Sequence, residues 1–158
     1  FFSGTIEENI RRVRPNISGT EFDDVLEMSG LKNIAKDLSE GLATPLDITG
    51  SSLSQAHKLT VALARALASS PNLLLLDETI NNLDKHAQVY LKENLDKIAD
   101  GRTLVIATND LRFVADFDWI IVLDKGEVVG QGQHKDLMKQ CHLYTQLVEI
   151  EKTLAFNA

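Results

Sequence analysis

The run Leu73-Leu74-Leu75-Leu76-Asp77-Glu78 constrains this chain more than any other stretch. Four apolar residues stop abruptly at two adjacent carboxylates. A short, uninterrupted apolar run predicts a strand buried on both faces, the mark of a parallel sheet. Ligands of open α/β sheets bind outside the carboxyl ends of the strands, which is where Asp77 and Glu78 fall. One carboxylate there can hold a hydrated Mg²⁺ while its neighbour orients a water, as phosphoryl transfer requires. The plainer alternative is a buried strand that ends in an acidic turn.

The 158 residues suffice for one domain with a real core, and 44% of them are hydrophobic, which argues against disorder. A net charge of −7, with 16 basic residues in no long block, speaks against a nucleic-acid surface. The single cysteine, Cys141, excludes an internal disulfide framework and suits a reducing compartment. It is expected to pack as a small apolar residue near a helix end. No apolar stretch approaches the ~20 residues that span a bilayer, and no secretory signal is visible at the start.

Along the chain, Thr5 with Glu8 and Ser18 with Glu21 form capping boxes. They predict a helix to about Val13, closed by Pro15, and a second carrying Phe22, Val25 and Leu26 on one side up to Gly30. A third helical stretch runs from Leu31 to Leu38, and Ala43–Gly50 reads as irregular. From Ser52 helices and strands alternate: a helix over 54–68, a strand over 72–77, a helix over 84–99 capped by Asp84, a strand over 103–108. Trp119–Leu123 reads as another buried strand, and Lys125-Gly126 turns it into a hairpin through Gln131. Helices over 134–140 and 142–155 finish the chain.

Leu53-Ser54-Gln55-Ala56-His57, then Ala64-Arg65-Ala66-Leu67, Leu73–Glu78 and Asn81-Asn82-Leu83-Asp84 resemble the ATP-binding-cassette (ABC) ATPases in order and spacing. That family's pattern runs LSGGQ, a helix ending ARAL, a Walker B strand ending Asp-Glu, and a D-loop ending Ala-Leu-Asp. Phe2–Ile10, Arg14-Pro15-Asn16 and Leu38–Gly41 resemble exporter-type cassettes, among them multidrug and type I (toxin) secretion exporters. The resemblance implies an α/β fold: part of a P-loop NTPase (RecA-like) parallel-sheet core plus an α-helical subdomain. Residues 1–52 correspond to the helical subdomain and linker, and 53–158 to the second half of the ATPase core. It also implies the cofactors ATP and Mg²⁺ and a place on the cytoplasmic face of a membrane. The implied partners are the transmembrane domains of an exporter and a second nucleotide-binding domain; no nucleic acid is expected.

The resemblance assigns Asp77 to Mg²⁺ through water and Glu78 to the general base. Asp84 is the D-loop residue that joins two nucleotide sites across a dimer, and it is equally a good helix cap. Ser54, Gln55, Ala56 and His57 are the signature loop, facing ATP on the partner. Its glycines allow close backbone approach to the γ-phosphate at a helix N-terminus. Here they are Gln55 and Ala56, and the final Gln is His57, so the site is expected to be weakened. The segment Thr108-Asn109-Asp110-Leu111 puts Asn109 where the family carries its switch His. Asn can donate to a phosphate oxygen but carries no positive charge; as a bland alternative it is a turn residue after a strand. His86, His134 and His142 show no metal-ligand spacing and are expected at the surface.

No G-x-x-x-x-G-K-S/T phosphate loop occurs in the 158 residues. The expectation is therefore a fragment of an ABC exporter whose phosphate loop lies before Phe1, and which by itself binds ATP weakly or not at all. The parent would be an ABC-type ATPase coupling hydrolysis to transport. The alternative is a non-hydrolysing ABC-fold module for dimerisation or regulation. Strands without neighbours should also invite pairing with another chain.

Overall fold

The computed structural model describes residues 1–77, 85–111 and 114–156, with backbone only at 85–87 and 154–156. The chain forms two compact units, Phe1–Ala107 and Thr108–Ala158.

The first unit opens with strand β1 (Gly4–Thr5), which pairs antiparallel with β2 (Pro45–Leu46). Three helices follow β1: α1 (Ile6–Arg11), α2 (Gly19–Ser29) and α3 (Leu31–Asp37). Both predicted capping boxes form. Glu8 N donates to Thr5 Oγ1 at 3.1 Å and Thr5 N donates to Glu8 Oε2 at 2.8 Å. Ser18 and Glu21 make the same reciprocal pair ahead of α2. The first helix stops at Arg11 rather than near Val13, and Arg12 caps it. The stretch expected to be irregular contains a 3₁₀ turn (Gly41–Ala43) and β2.

These three helices pack on α4 (Gln55–Ala68), which buries Thr60, Val61, Leu63, Ala64, Leu67 and Ala68. The core adds Ile6, Ile10, Phe22, Val25, Leu26 and Leu31. Asn9, buried among them, is fully used. Its amide donates to the carbonyls of Phe2 (2.8 Å) and Thr5 (2.9 Å), and its Oδ1 accepts from Phe2 N (2.9 Å). A buried polar side chain is tolerated on these terms.

Strand β3 (Leu73–Asp77), helix α5 (Lys85–Ala99) and strand β4 (Thr103–Ala107) complete the unit. β3 and β4 are parallel, with Leu73 opposite Thr103 and Asp77 opposite Ala107. The expected parallel sheet is thus present, but not the burial on both faces. Leu74 and Leu76 are 5% and 6% exposed, whereas Leu73 and Leu75 are 53% and 65% exposed. Side chains alternate across a strand, and the described residues cover only one of the two faces.

The second unit is a hairpin and two helices. β5 (Ile120–Asp124) and β6 (Glu127–Gly132) pair antiparallel, with a register shift between Val122 and Leu123. Lys125 and Gly126, both at positive φ, make the two-residue turn. Val122 packs with Leu137 of α6 (His134–Gln140) and with Cys141; Tyr144 and Val148 of α7 (His142–Phe156) close the cluster. Cys141 caps α6 and is buried, as expected. The strand expected to be wholly buried is again buried on one side only: Trp119, Ile121 and Leu123 are exposed. His134 also departs from expectation. It is half-buried, with Nδ1 2.7 Å from the hydroxyl of buried Tyr144 and the rings edge to face.

Candidate functional site

Ser54 initiates α4. Its extended backbone (φ −63°, ψ 161°) turns the chain into the helix, and its Oγ accepts from His57 N at 3.1 Å. A Ser at this position satisfies a backbone donor that the helix leaves unpaired. Ser54, Gln55, Ala56 and His57 are therefore one turn at the N-terminus of a 14-residue helix. Ser54 and Gln55 are exposed, while Ala56 and His57 are half-buried. The hydroxyl proton of Ser54 remains available for donation, and the helix dipole favours an anion at this end.

The loop that delivers Ser54 is organised by Asp47, which sequence reasoning did not single out. Its carboxylate accepts from the hydroxyls of Ser51 and Thr49 and from Thr49 N (2.8 Å) and Ser51 N (3.2 Å). The Ser51 hydroxyl, followed by that of Thr49, holds this carboxyl well below the usual carboxylate range. The run Asp47-Ile48-Thr49-Gly50-Ser51 carries the legible signal, an Asp followed at two and four residues by hydroxyl residues. Leu53 N then donates to Gly50 O at 3.0 Å, and Leu53 is buried beneath the turn.

Asp77 closes β3 at the carboxyl end of the parallel pair, exposed on the same face as Leu73 and Leu75. Glu78 and Asp84 lie outside the described residues. In the second unit, Asp110 N donates to Thr108 Oγ1 at 3.0 Å, which leaves Asn109 exposed at the apex of a tight turn with Asp110 buried beside it. Among the described residues no cluster of His, Cys, Asp and Glu could hold a metal by itself. A shallow groove beside α1 is lined by Phe2, Ser3, Glu8, Asn9, Arg11 and Arg12.

The sequence profile of ABC transporters matches residues 2–81. The chain belongs to the ABC transporter family. Its relatives agree. It is 36% identical to an uncharacterized ABC transporter ATP-binding protein, YknV of Bacillus subtilis (strain 168), over 99% of this chain and 26% of YknV. It is 34% identical to the probable multidrug resistance ABC transporter ATP-binding/permease protein YheH of the same organism, over 96% of this chain and 22% of YheH. Among solved structures it resembles a bacterial Atm1-family ABC exporter with ATP bound, with TM-score 0.86 and 30% identity over 96% of this chain and 27% of that one. The chain thus spans about a quarter of the length of these relatives, and it corresponds to the nucleotide-binding domain of an ABC exporter with the P-loop NTPase fold. No helix among the described residues is long and apolar enough to cross a membrane.

Proposed function

We propose that the chain is the catalytic-carboxylate and signature half of an exporter ATPase site, working at reduced efficiency. The observation that carries this is the joint placement of Asp77 at the carboxyl end of a parallel strand and Ser54 at the N-terminus of α4. These residues suit a Mg²⁺-bound triphosphate: a hard carboxylate for the cation, and a helix N-terminus with a hydroxyl for an anion. Asp77 would hold the cation and Glu78 would orient the attacking water. Ser54 and the first turn of α4 receive a phosphate bound on a second copy of the domain. Mg²⁺ supplies charge neutralisation along the phosphate chain when bound. Asp84 joins the two sites. The phosphate loop is supplied by residues other than these 158, so the chain by itself binds ATP weakly.

Two features lower the rate. Gln55 puts an exposed side chain where the family uses glycine. Asn109 offers a neutral donor where a His could offer a charged one, and charge-assisted hydrogen bonds are roughly twice as strong. The working setting is the cytoplasmic face of a membrane, with the domain attached to transmembrane domains and paired with a second nucleotide-binding domain. Gln55 and Asn109 together also favour a second reading, a non-hydrolysing partner in an asymmetric dimer.

The test is steady-state ATP hydrolysis by the complete transporter. Slow Mg²⁺-dependent turnover that rises on the order of tenfold or more in Asn109→His supports the proposal. No turnover in either protein favours the non-hydrolysing reading. Unchanged turnover in Asn109→His removes the assignment of Asn109.

A further inference from the structure

We infer that Phe1 is a positioning residue for the signature turn: its ring fills the space over Gly50 beside α4, and so fixes the loop that delivers Ser54. The inference deepens the ATPase reading and rests on it.

The loop ahead of α4 has little packing of its own. Ile48, Thr49, Ser51 and Ser52 are exposed, and of residues 48–53 only Gly50 and Leu53 are buried. Asp47 gathers the loop from within, through Thr49 and Ser51. Gly50 lies between those two residues, at φ +62°. A Cβ there would stand 2.9 Å and 3.0 Å from Cδ2 and Cε2 of the Phe1 ring, and 3.3 Å from Lys58 Cε. The ring thus takes the place that a side chain at position 50 would occupy. Glycine is needed there twice over, for the left-handed backbone and for the approach of the ring.

Phe1 is itself held from two sides. Lys58 and Arg65 lie about two turns apart on one face of α4. The Arg65 guanidinium carbon is 5.8 Å from the centroid of the Phe1 ring, within reach of a cation–π attraction. On the other side the next residue is clamped to buried Asn9. Phe2 N donates to Asn9 Oδ1 at 2.9 Å, and Phe2 O accepts from Asn9 Nδ2 at 2.8 Å. The ring is therefore presented to Gly50 from backbone that is fixed to α1.

From Gly50 the contact reaches the site through a short chain of hydrogen bonds. Gly50 O accepts from Leu53 N at 3.0 Å, and Leu53 precedes Ser54. Ser54 Oγ accepts from His57 N at 3.1 Å, and Ser54 O accepts from Lys58 N at 2.9 Å. With the ring in place, Gly50 is kept at a set distance from α4, and the exposed Ser54 is offered from one position. Without the ring, Gly50 gains room to move and takes Leu53 with it. A packing role would show in stability alone. A positioning role shows in turnover, because the phosphate that Ser54 receives is already bound on the second copy.

The test uses the complete transporter with Phe1→Ala, Phe1→Leu, Gly50→Ala and the double variant Phe1→Ala/Gly50→Ala. In Phe1→Ala, kcat should fall about two- to tenfold with KM for ATP unchanged, and amide hydrogen exchange over residues 50–57 should quicken. Phe1→Leu, which keeps an apolar group over Gly50, should recover most of the lost turnover. Gly50→Ala should cost less stability in the Phe1→Ala background than in wild type, because the added methyl then has room. Unchanged kcat and exchange in Phe1→Ala would reduce the ring to packing and overturn the inference, whatever the change in Tm. Equal costs of Gly50→Ala in the two backgrounds would also overturn it. Absence of hydrolysis in the wild-type transporter would sink the ATPase reading itself. In that case faster exchange over 50–57 in Phe1→Ala would still establish that the ring fixes the turn, and unchanged exchange would remove it.

Discussion

At the scale of single residues, the informative ones are those that shape backbone rather than those that carry charge. Asp47 holds the approach to the signature turn through two hydroxyls and two amides. Its ordinary ionisation lies at 3.8 and is depressed in the folded chain. A group of this kind contributes stability that is present above its unfolded value and is lost as pH falls through the folded one. The difference in urea midpoint between wild type and Asp47→Ala should therefore be constant from neutral pH to about 4 and narrow below that. A difference that does not change with acidification would show that the carboxylate form is not what orders the loop. Asn9 and His134 escaped the sequence reading because their partners are backbone groups or a distant ring, which no spacing rule exposes. The Asp47 signal, hydroxyl residues two and four positions on, was legible but was not singled out.

Among the helices and strands, local chemistry was legible and burial was not. The capping boxes at Thr5 and Ser18 could be read because both halves of the device lie within four residues. Helix α4 with its cap Ser54 and the Lys125-Gly126 hairpin were readable on the same grounds, and the apolar run of β3 announced a parallel sheet without naming β4 as its neighbour. The cap at Ser18 should matter to the whole helical block, because α2 touches both α4 and α5. Ser18→Ala should cost about 1 kcal/mol in denaturant unfolding, and Ser18→Thr much less. Equal losses in the two variants would assign the effect to something other than the cap. The elements that escaped notice are β1 and β2, two residues each, Gly4–Thr5 and Pro45–Leu46, too short for any periodicity to declare itself. The leucine run misled in the other direction. It reports correctly that the strand is apolar on both sides, yet only one side is covered by the described residues. Apolar sequence registers the setting a strand suits, and that setting need not come from the same stretch of chain.

For the whole molecule, those open faces have a consequence in solution. Leu73, Leu75 and Val105 stand exposed on β3–β4, and Ile121, Leu123 and Val128 on β5–β6. Contiguous apolar faces and sheet edges of this kind favour association. Light scattering of the 158-residue chain over a range of concentrations should show a dimer or larger species, and a monomer at every concentration would contradict this. Around the candidate site, the order of α4, β3, α5 and β4 was readable from sequence. The contacts that tie these helices to the helical block were not, because one such as Tyr90 to Glu27 joins residues with no sequence relation. The central claim is that the acidic pair ending the leucine strand acts on a magnesium-bound nucleotide. The most direct measurement of it is single-turnover ATP hydrolysis by the complete transporter carrying Glu78→Gln. The account predicts that ATP still binds with Mg²⁺ while turnover falls to background, and turnover equal to wild type would contradict it.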